Sequence, residues 1–305
     1  MELVEAIILA VLAASTPLLL AATGELVAER SGVLNLGVEG MMIVGAACGF
    51  AGAWLTGSIL IGALLGIVAG TLMSLVFALM ALGLAVNQVA TGLALTILGV
   101  GLSGLIGAGF VGERITPAVH LYIPVLTDVP LIGRVLFGEN GFVYFSIALI
   151  VAVWWFLYRT RAGLILRACG DNHASAHALG YPVLRIRTLA VMFGGACAGL
   201  AGAYLPLAYT PFFIPGMTAG RGWIALALVV FSSWRPGRLV VGAYLFGAVT
   251  ILQLHAQGWG VGIPSQFMSA LPYLATVIVL VLLSRARTGG STAPAALGTV
   301  FVPDR

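Results

Sequence analysis

Five polar residues in an otherwise apolar sequence could bind an uncharged solute through hydrogen bonds. Asn35 and Glu39 follow a glycine-containing break after the first apolar run, and Asn87, Gln88 and Thr91 open the fourth run. Thr91 is three residues from Gln88 and four from Asn87, a spacing that predicts a shared helix face. Polar groups inside a membrane are costly and normally face a cavity or a partner. We therefore predict that these five residues line a pathway for a polar solute, with hydrogen bonding between helices as the alternative for the last three.

Charged residues also occur at the first break, where Glu25, Glu29 and Arg30 precede Asn35. Charged side chains typically flank membrane-spanning segments rather than lie within them. We therefore expect these three side chains to lie in water at the cytoplasmic surface, outside the pathway.

Asp171, His173 and His177 resemble part of a metal site, because the two histidines are four residues apart on a helical face. A zinc site needs a third and usually a fourth protein ligand. The other two histidines, His120 and His255, lie on distant segments. We therefore predict no metal site and interpret the segment as a solvated helix.

The sequence carries no signature of an enzyme. It contains no nucleophile elbow, no H-E-x-x-H helix and no paired-carboxylate signature. All 14 basic residues are Arg, so the Lys of a Walker A phosphate loop is absent and any ATP chemistry must belong to a partner. Gly99, Gly101 and Gly104 spell G-x-G-x-x-G, but inside an apolar run this spacing indicates helix packing rather than dinucleotide binding.

Composition identifies the elements that must position these residues. Of 305 residues, 61% are hydrophobic and only 8% are charged, whereas soluble domains average roughly 25% charged residues. Runs of about 20 apolar residues can span a membrane as helices. We predict an all-α, polytopic membrane protein with about nine transmembrane helices (eight to ten), some of them broken. The candidate runs are 3–23, 37–56, 58–80, 84–110, 142–158, 188–209, 222–234, 239–257 and 267–283.

The distribution of Arg predicts the orientation, because cytoplasmic loops carry an excess of basic residues. Placing the 159–187 loop inside puts eleven Arg inside and three outside. The N-terminus is then outside and the C-terminus inside. Residues 1–287 would form one transmembrane domain and 288–305 a disordered cytoplasmic tail, since the tail is rich in Gly, Ser, Thr and Pro. The 111–141 segment becomes an external loop in which three prolines disfavour a regular helix.

Two segments share the order helix, break, helix. One covers 3–56 with its break at 24–36, and the other covers 188–234 with its break at 210–221. The predicted topology puts the two breaks on opposite sides of the membrane. Inverted repeats with broken helices around a central site are typical of transporters, so we predict a possible inverted repeat.

The polar segment 167–182, RACGDNHASAHALGYP, predicts a short helix between two spans. Asp171 or Asn172 could cap its N-terminus, and Gly180 and Pro182 would end it. Such a helix could dock into another subunit; an ordinary loop is the alternative.

Two long stretches carry a resemblance to a known family. They are GELVAERSGVLNLGVEGMMIVGA (24–46) and RACGDNHASAHALGYPVLRIRTLAVMFGGACAGLAGA (167–203). Both are similar to inner-membrane permeases of ABC importers of the branched-chain amino acid and ribose type, in particular the subgroup for nucleosides and simple sugars. The length resembles that of the shorter of the two permeases in this subgroup.

The resemblance implies an importer that moves nucleosides across the bacterial cytoplasmic membrane by alternating access. Its partners would be a second, homologous permease in a heterodimer, an ABC ATPase that binds ATP and magnesium, and a lipid-anchored substrate-binding protein; nucleic acid is not expected. The segment 168–180 would be the coupling helix that contacts the ATPase. Its implied residues are Gly170, Asp171, Asn172, Ala176, Leu179 and Gly180.

Other functions remain open from the sequence. The same machine could carry a ribose-like sugar or a branched-chain amino acid. A stand-alone secondary transporter would also show an inverted repeat, with Glu39 and His255 as candidates for proton coupling. A membrane scaffold without transport is the third alternative.

Overall fold

The computed structural model describes residues 2–122, 124, 127, 133–258 and 293–302, together with 267, 270, 271, 274, 277, 278 and 281. Within these residues every named regular element is a helix. The helices are α1 (Glu2–Arg30), α2 (Val38–Thr56), α3 (Ile59–Ala78), α4 (Gln88–Gly107), α5 (Gly133–Phe137), α6 (Gly141–Arg159), α7 (Arg161–Asp171), α8 (His173–Ala178), α9 (Val183–Tyr204), α10 (Arg221–Phe231) and α11 (Pro236–Gly258). Turns of π-helix extend α3 through Leu79–Gly83 and α9 through Leu205–Tyr209.

Seven of the described helices are long and apolar enough to cross a membrane: α1, α2, α3, α4, α6, α9 and α11. α10, with 11 residues, is too short to cross alone. These eight helices coincide with eight of the nine predicted runs, which confirms the all-α membrane fold. The ninth run, 267–283, falls mostly outside the described residues, so the total number of spans stays a prediction.

The first helix is longer than the sequence predicts. Gly24 does not begin a break but packs against Cys197 and Gly194 of α9, where an added Cβ would clash. The helix instead continues to Arg30 and is terminated by Gly32, whose φ of +92° is the left-handed conformation that glycine adopts readily. The first break therefore covers residues 31–37 rather than 24–36.

Small residues let the central helices approach closely, as their spacing predicts. An added Cβ at Gly66 or Gly70 of α3 would meet the backbone of Gly199 or Gly195 in α9. The same backbone-to-backbone contact joins Gly202 of α9 to Met42 of α2. α9 thus packs against α1, α2 and α3 and forms the centre of the bundle.

The G-x-G-x-x-G sequence does not act as a unit. Gly99 faces the backbone of Gly40 in α2, whereas added Cβ atoms at Gly101 and Gly104 would meet nothing within 4 Å. Only the first of the three glycines is therefore required for packing.

The loops gather at two ends of the bundle in the alternation that the sequence predicts. At one end, the Arg30 guanidinium donates to the carbonyl of Trp234 at 2.7 and 3.0 Å, and Arg187 donates to the carbonyl of Ser31 at 3.1 Å. At the other end, Val111 and Arg114 pair with the 210–220 segment through short backbone bridges. Which end is cytoplasmic remains a prediction from the Arg distribution.

The prediction of a disordered tail is wrong for residues 293–302. Ala296 N–H donates to the carbonyl of Gly170 at 2.9 Å, and Gly298 N–H donates to the carbonyl of Gly32 at 3.1 Å. The small residues that suggested disorder allow the tail backbone to lie directly on two glycines. This segment lies at the same end of the bundle as Arg30 and Trp234.

Candidate functional site

Two interruptions of the helical bundle meet at the N-termini of α2 and α10. The first is 31–37, and the second is 210–220, between the π-helical extension of α9 and α10. An added Cβ at Gly222 would lie 2.5 Å from Glu39 Cα, so the two helix starts are in contact. An 11-residue helix is about 16 Å long at about 1.5 Å per residue, roughly half of the ~30 Å hydrocarbon core. Because α10 ends near Trp234 and Arg30, its N-terminus lies near the middle of the membrane.

Glu39, which is 7% exposed, joins the two interruptions through its carboxylate. Its Oε1 accepts hydrogen bonds from Thr218 Oγ1 at 2.6 Å and from Gly220 N–H at 2.9 Å. Its Oε2 accepts one from Gly222 N–H at 2.6 Å. The first N–H groups of a helix lack partners within the helix, and a negative charge there is favoured by the helix dipole. Glu39 therefore caps α10 from a different element.

Asn35 stabilises the first interruption from inside. Its Oδ1 accepts a hydrogen bond from Gly37 N–H at 2.9 Å, which forms a local turn just before α2. The backbone N–H of Asn35 donates to Glu25 Oε1 at 3.2 Å, and its side chain is fully buried. The side chain thus satisfies backbone groups that a broken helix leaves unpaired.

Gln88 is the predicted pathway residue with unused hydrogen-bonding capacity. Its Oε1 accepts a hydrogen bond from Leu34 N–H at 2.8 Å, so α4 also contacts the first interruption. Its Nε2 is buried without a hydrogen-bond partner among the described residues. A buried amide donor left unpaired is unfavourable. A conformation of the protein that brings a hydrogen-bond acceptor to Gln88 Nε2 would therefore be favoured.

The other two predicted residues of α4 face different directions. Thr91 is buried and donates to the carbonyl of Asn87 at 2.8 Å. Asn87 is exposed and caps α4, where its Oδ1 accepts from Ala90 N–H at 3.0 Å. The shared face predicted for all three residues is therefore wrong for Asn87, because it precedes the helix. Asn35, Glu39, Gln88 and Thr91 are buried around the first interruption.

Glu25 and Glu29 are not in water, contrary to the expectation from sequence. Both side chains are buried, and the Trp234 indole N–H donates to Glu29 Oε2. One oxygen of each carboxylate has no hydrogen-bond partner within the described ranges. The sequence missed them because their burial depends on Trp234, some 200 residues away, and the spacing of four between the two acids is the only local signal.

The predicted coupling segment consists of two helices rather than one. α7 ends at Asp171, and Asn172 caps α8 by accepting a hydrogen bond from Ser175 N–H at 2.9 Å. Gly170 packs against the backbone of Arg30, and Ala176 is buried beside Cys169 and Val183.

The end of this segment is exposed. Leu179, directly after α8, is 77% exposed, and Gly180 adopts φ of +86°, which ends the segment. Asp171 is also exposed. The segment thus presents α8 and Leu179 on the outside of the bundle, anchored through Gly170 to the first interruption.

The histidines of this segment have other partners than a metal. Nδ1 of His173 lies 3.3 Å from the Arg187 guanidinium, which can only donate, so Nδ1 accepts. Burial and the Arg187 charge lower the pKa of His173 below its ordinary value. No group of three His, Cys, Asp or Glu side chains suited to a metal ion occurs in the described part of the chain.

Comparison with known proteins identifies a family and several relatives. The model of the family "Branched-chain amino acid transport system / permease component" matches residues 7–284. The chain is 44% identical to the putative glucose ABC transporter permease protein TsgC13 of Haloferax volcanii, over 88% of each chain. It is 32% identical to the nucleoside ABC transporter permease protein NupC of Lactococcus lactis, over 95% of each chain. It is 30% identical to the guanosine ABC transporter permease protein NupQ of Bacillus subtilis, over 99% of this chain and 98% of that protein.

Proposed function

This chain belongs to the family of branched-chain amino acid transport system permease components, and from that premise we propose that it is the permease subunit of an ATP-driven importer of nucleosides. It is a multi-pass protein of the cytoplasmic membrane. The observation that supports the proposal most directly is the meeting of two helix interruptions at Glu39. Irregular backbone at membrane depth is tolerated where it is buried in protein or lines a cavity, and transporters place their substrate sites there.

The chemistry around the first interruption suits an uncharged polar cargo. Gln88 offers an amide donor that has no partner among the described residues, and Thr91 and Asn35 lie on the surrounding elements. A nucleoside carries hydroxyl groups and ring acceptors that such groups can bind without a fixed counter-charge. Glu39 fixes the geometry of the junction, and rocking of the two permeases would open the junction alternately to each side.

The energy source in this proposal is a partner ATPase. The chain has no Lys and so no Walker A loop, and ATP and magnesium would be bound by that partner. α8 and Leu179 would form the coupling surface for it. A second, homologous permease would complete a heterodimeric pore, and a lipid-anchored protein would deliver the cargo.

Uptake by the reconstituted complex tests this proposal. We expect radiolabelled guanosine or uridine to accumulate in proteoliposomes only when ATP is enclosed on the same side of the membrane as the ATPase. We expect an uncoupler to leave the rate of uptake unchanged. If the uncoupler abolishes uptake while ATP has no effect, the chain is a secondary transporter and the proposal is wrong. If purified complex neither binds nor moves any solute, a scaffold role replaces it.

A simple sugar is the second candidate cargo, because the relative with 44% identity is named for glucose. Competition between labelled and unlabelled solutes distinguishes a nucleoside cargo from a sugar cargo. A hundredfold excess of unlabelled glucose is expected to leave nucleoside uptake unchanged. If the complex instead takes up labelled glucose, and nucleosides do not inhibit that uptake, the chain is a sugar permease.

A further inference from the structure

The C-terminal segment 293–302 packs along the end of the bundle that also holds the coupling segment. It contacts three separate elements through its backbone. Ala296 and Gly298 donate to Gly170 at the end of α7 and to Gly32 in the first interruption, and Thr299 accepts from Arg187 Nη1 at 3.3 Å. The tail is therefore connected at one place to α7, α9 and the first interruption.

Phe301 extends this contact to α8. Its ring centroid lies 5.0 Å from that of His173 and 5.4 Å from that of His177, at interplanar angles of 57° and 65°. Edge-to-face and tilted arrangements at these distances are favourable for aromatic rings. Phe301 also packs against the small cluster of Cys169, Ala176 and Val183.

A cleft of about 460 Å³ lies between α8 and the tail. It is lined by His173, Ala174, His177, Ala178, Val300, Phe301 and Val302. Val302 is 66% exposed and Val300 42% exposed, and none of the described residues that line the cleft is an Arg or carries a carboxylate. The lining therefore combines two imidazole rings with apolar side chains, which suits an uncharged side chain better than a charged one.

We propose that residues 300–302 form the second wall of the ATPase docking surface, and that the cleft receives an uncharged side chain of that subunit. This rests on the proposed function, which assigns α8 and Leu179 to the ATPase. Three observations support it: the cleft continues directly from α8, its rim exposes two valines, and the tail is attached by backbone hydrogen bonds to the first interruption. Movement of the docked ATPase would then reach Gly32 through the tail as well as through α7.

Charge substitutions in the tail test the inference. Val302→Glu and Val300→Glu place a carboxylate at the apolar rim, and Ala295→Glu places one at an exposed tail position outside the cleft. The readout is binding of the purified ABC ATPase that accompanies the wild-type chain, identified by mass spectrometry. We expect both valine variants to weaken binding at least tenfold and Ala295→Glu to change it less than twofold. Unchanged thermal unfolding of each variant permease shows that folding is intact, because both valines are exposed.

Several results would overturn the inference. Wild-type binding by both valine variants would exclude the tail from the interface, and stronger binding after removal of 293–305 would make the tail a competitor of the ATPase. Leu179→Glu separates the two proposals. If Leu179→Glu weakens ATPase binding and the valine variants do not, only the inference fails. If the wild-type chain binds no ATPase, the proposed function fails with it.

Discussion

Glu39 and the residues around it show how a broken helix can be accommodated inside a membrane protein. Each interruption leaves backbone N–H groups without helical partners, and lipid offers none. Glu39 accepts from two backbone N–H groups and one hydroxyl, and Asn35 and Gln88 each accept from one backbone N–H. The side chains that the sequence marks as candidates for the pathway therefore also stabilise the backbone conformation of the two interruptions.

Glu39→Gln is expected to destabilise the junction. The amide presents an N–H₂ group toward backbone donors, which leaves at least one buried N–H unpaired and removes the charge at the start of α10. The cost of such an unpaired buried group is about 1–3 kcal/mol. Thermal unfolding of the purified permease should shift down, and uptake should fall with it.

Glu113→Gln is the matched control, because Glu113 is exposed and its hydrogen bond to Trp54 Nε1 is 3.3 Å long. Exposed substitutions of this kind change stability by less than about 0.5 kcal/mol. Equal unfolding temperatures for the two variants would contradict the anchoring role of Glu39.

His173 makes attachment of the tail depend on pH. Burial and the Arg187 guanidinium lower its pKa in the folded protein, while the unfolded value is about 6.5. Protonation is then less favourable in the folded state, so stability of this contact is lost as pH falls below about 6.5. Hydrogen exchange of the amides in 293–302, corrected for intrinsic rates, should show weaker protection at pH 5.5 than at pH 7.5.

Two variants isolate this effect. His173→Gln should lessen the pH dependence of protection, whereas His177→Gln, which also removes a ring in contact with Phe301, should retain it. The same pH dependence in wild type and both variants would exclude His173 as its source.

At the scale of elements, local pattern predicts the helices well and their contacts less well. Eight apolar runs became helices because a continuous apolar stretch of this length has few alternatives in a membrane. Gly66 and Gly70, which pack on α9, are also four residues apart, and small residues at this spacing are typical of close helix packing. Burial of Glu29 by Trp234, and attachment of the tail to Gly170, depend on residues more than 100 positions apart. Apart from the spacing of four between Glu25 and Glu29, neither contact leaves a local signal in a single sequence.

The close contact between α3 and α9 gives a pair of substitutions with opposite expected signs. Gly199→Ala adds a Cβ that would clash with the backbone of Gly66, and overpacking of this kind typically costs about 1–3 kcal/mol. Gly101→Ala adds a Cβ that meets nothing within 4 Å, so the higher helix propensity of Ala should raise stability by up to about 1 kcal/mol. Thermal unfolding of the purified permease measures both effects. Shifts in unfolding temperature of the same sign and size for the two variants would contradict the packing described.

At the scale of the whole molecule, two interruptions enter the bundle from opposite ends and meet at one carboxylate. This arrangement agrees with the order helix, break, helix in both halves of the sequence, although the first break begins seven residues later than predicted. The tail, α7 and the first interruption are joined at one end. In the proposed complex, a force applied there by the ATPase would have a continuous path of packed backbone to the junction at Glu39.

Identification of the subunits that accompany the chain tests the central claim most directly. The chain would carry an N-terminal tag, since residues 293–302 pack on α8, and would be extracted gently from its own membranes for mass spectrometry. We predict recovery of an ABC ATPase together with a second permease of the same family, and loss of the ATPase in Leu179→Glu. Recovery of the chain alone, stable and monodisperse, would contradict the account and make a stand-alone transporter the better explanation.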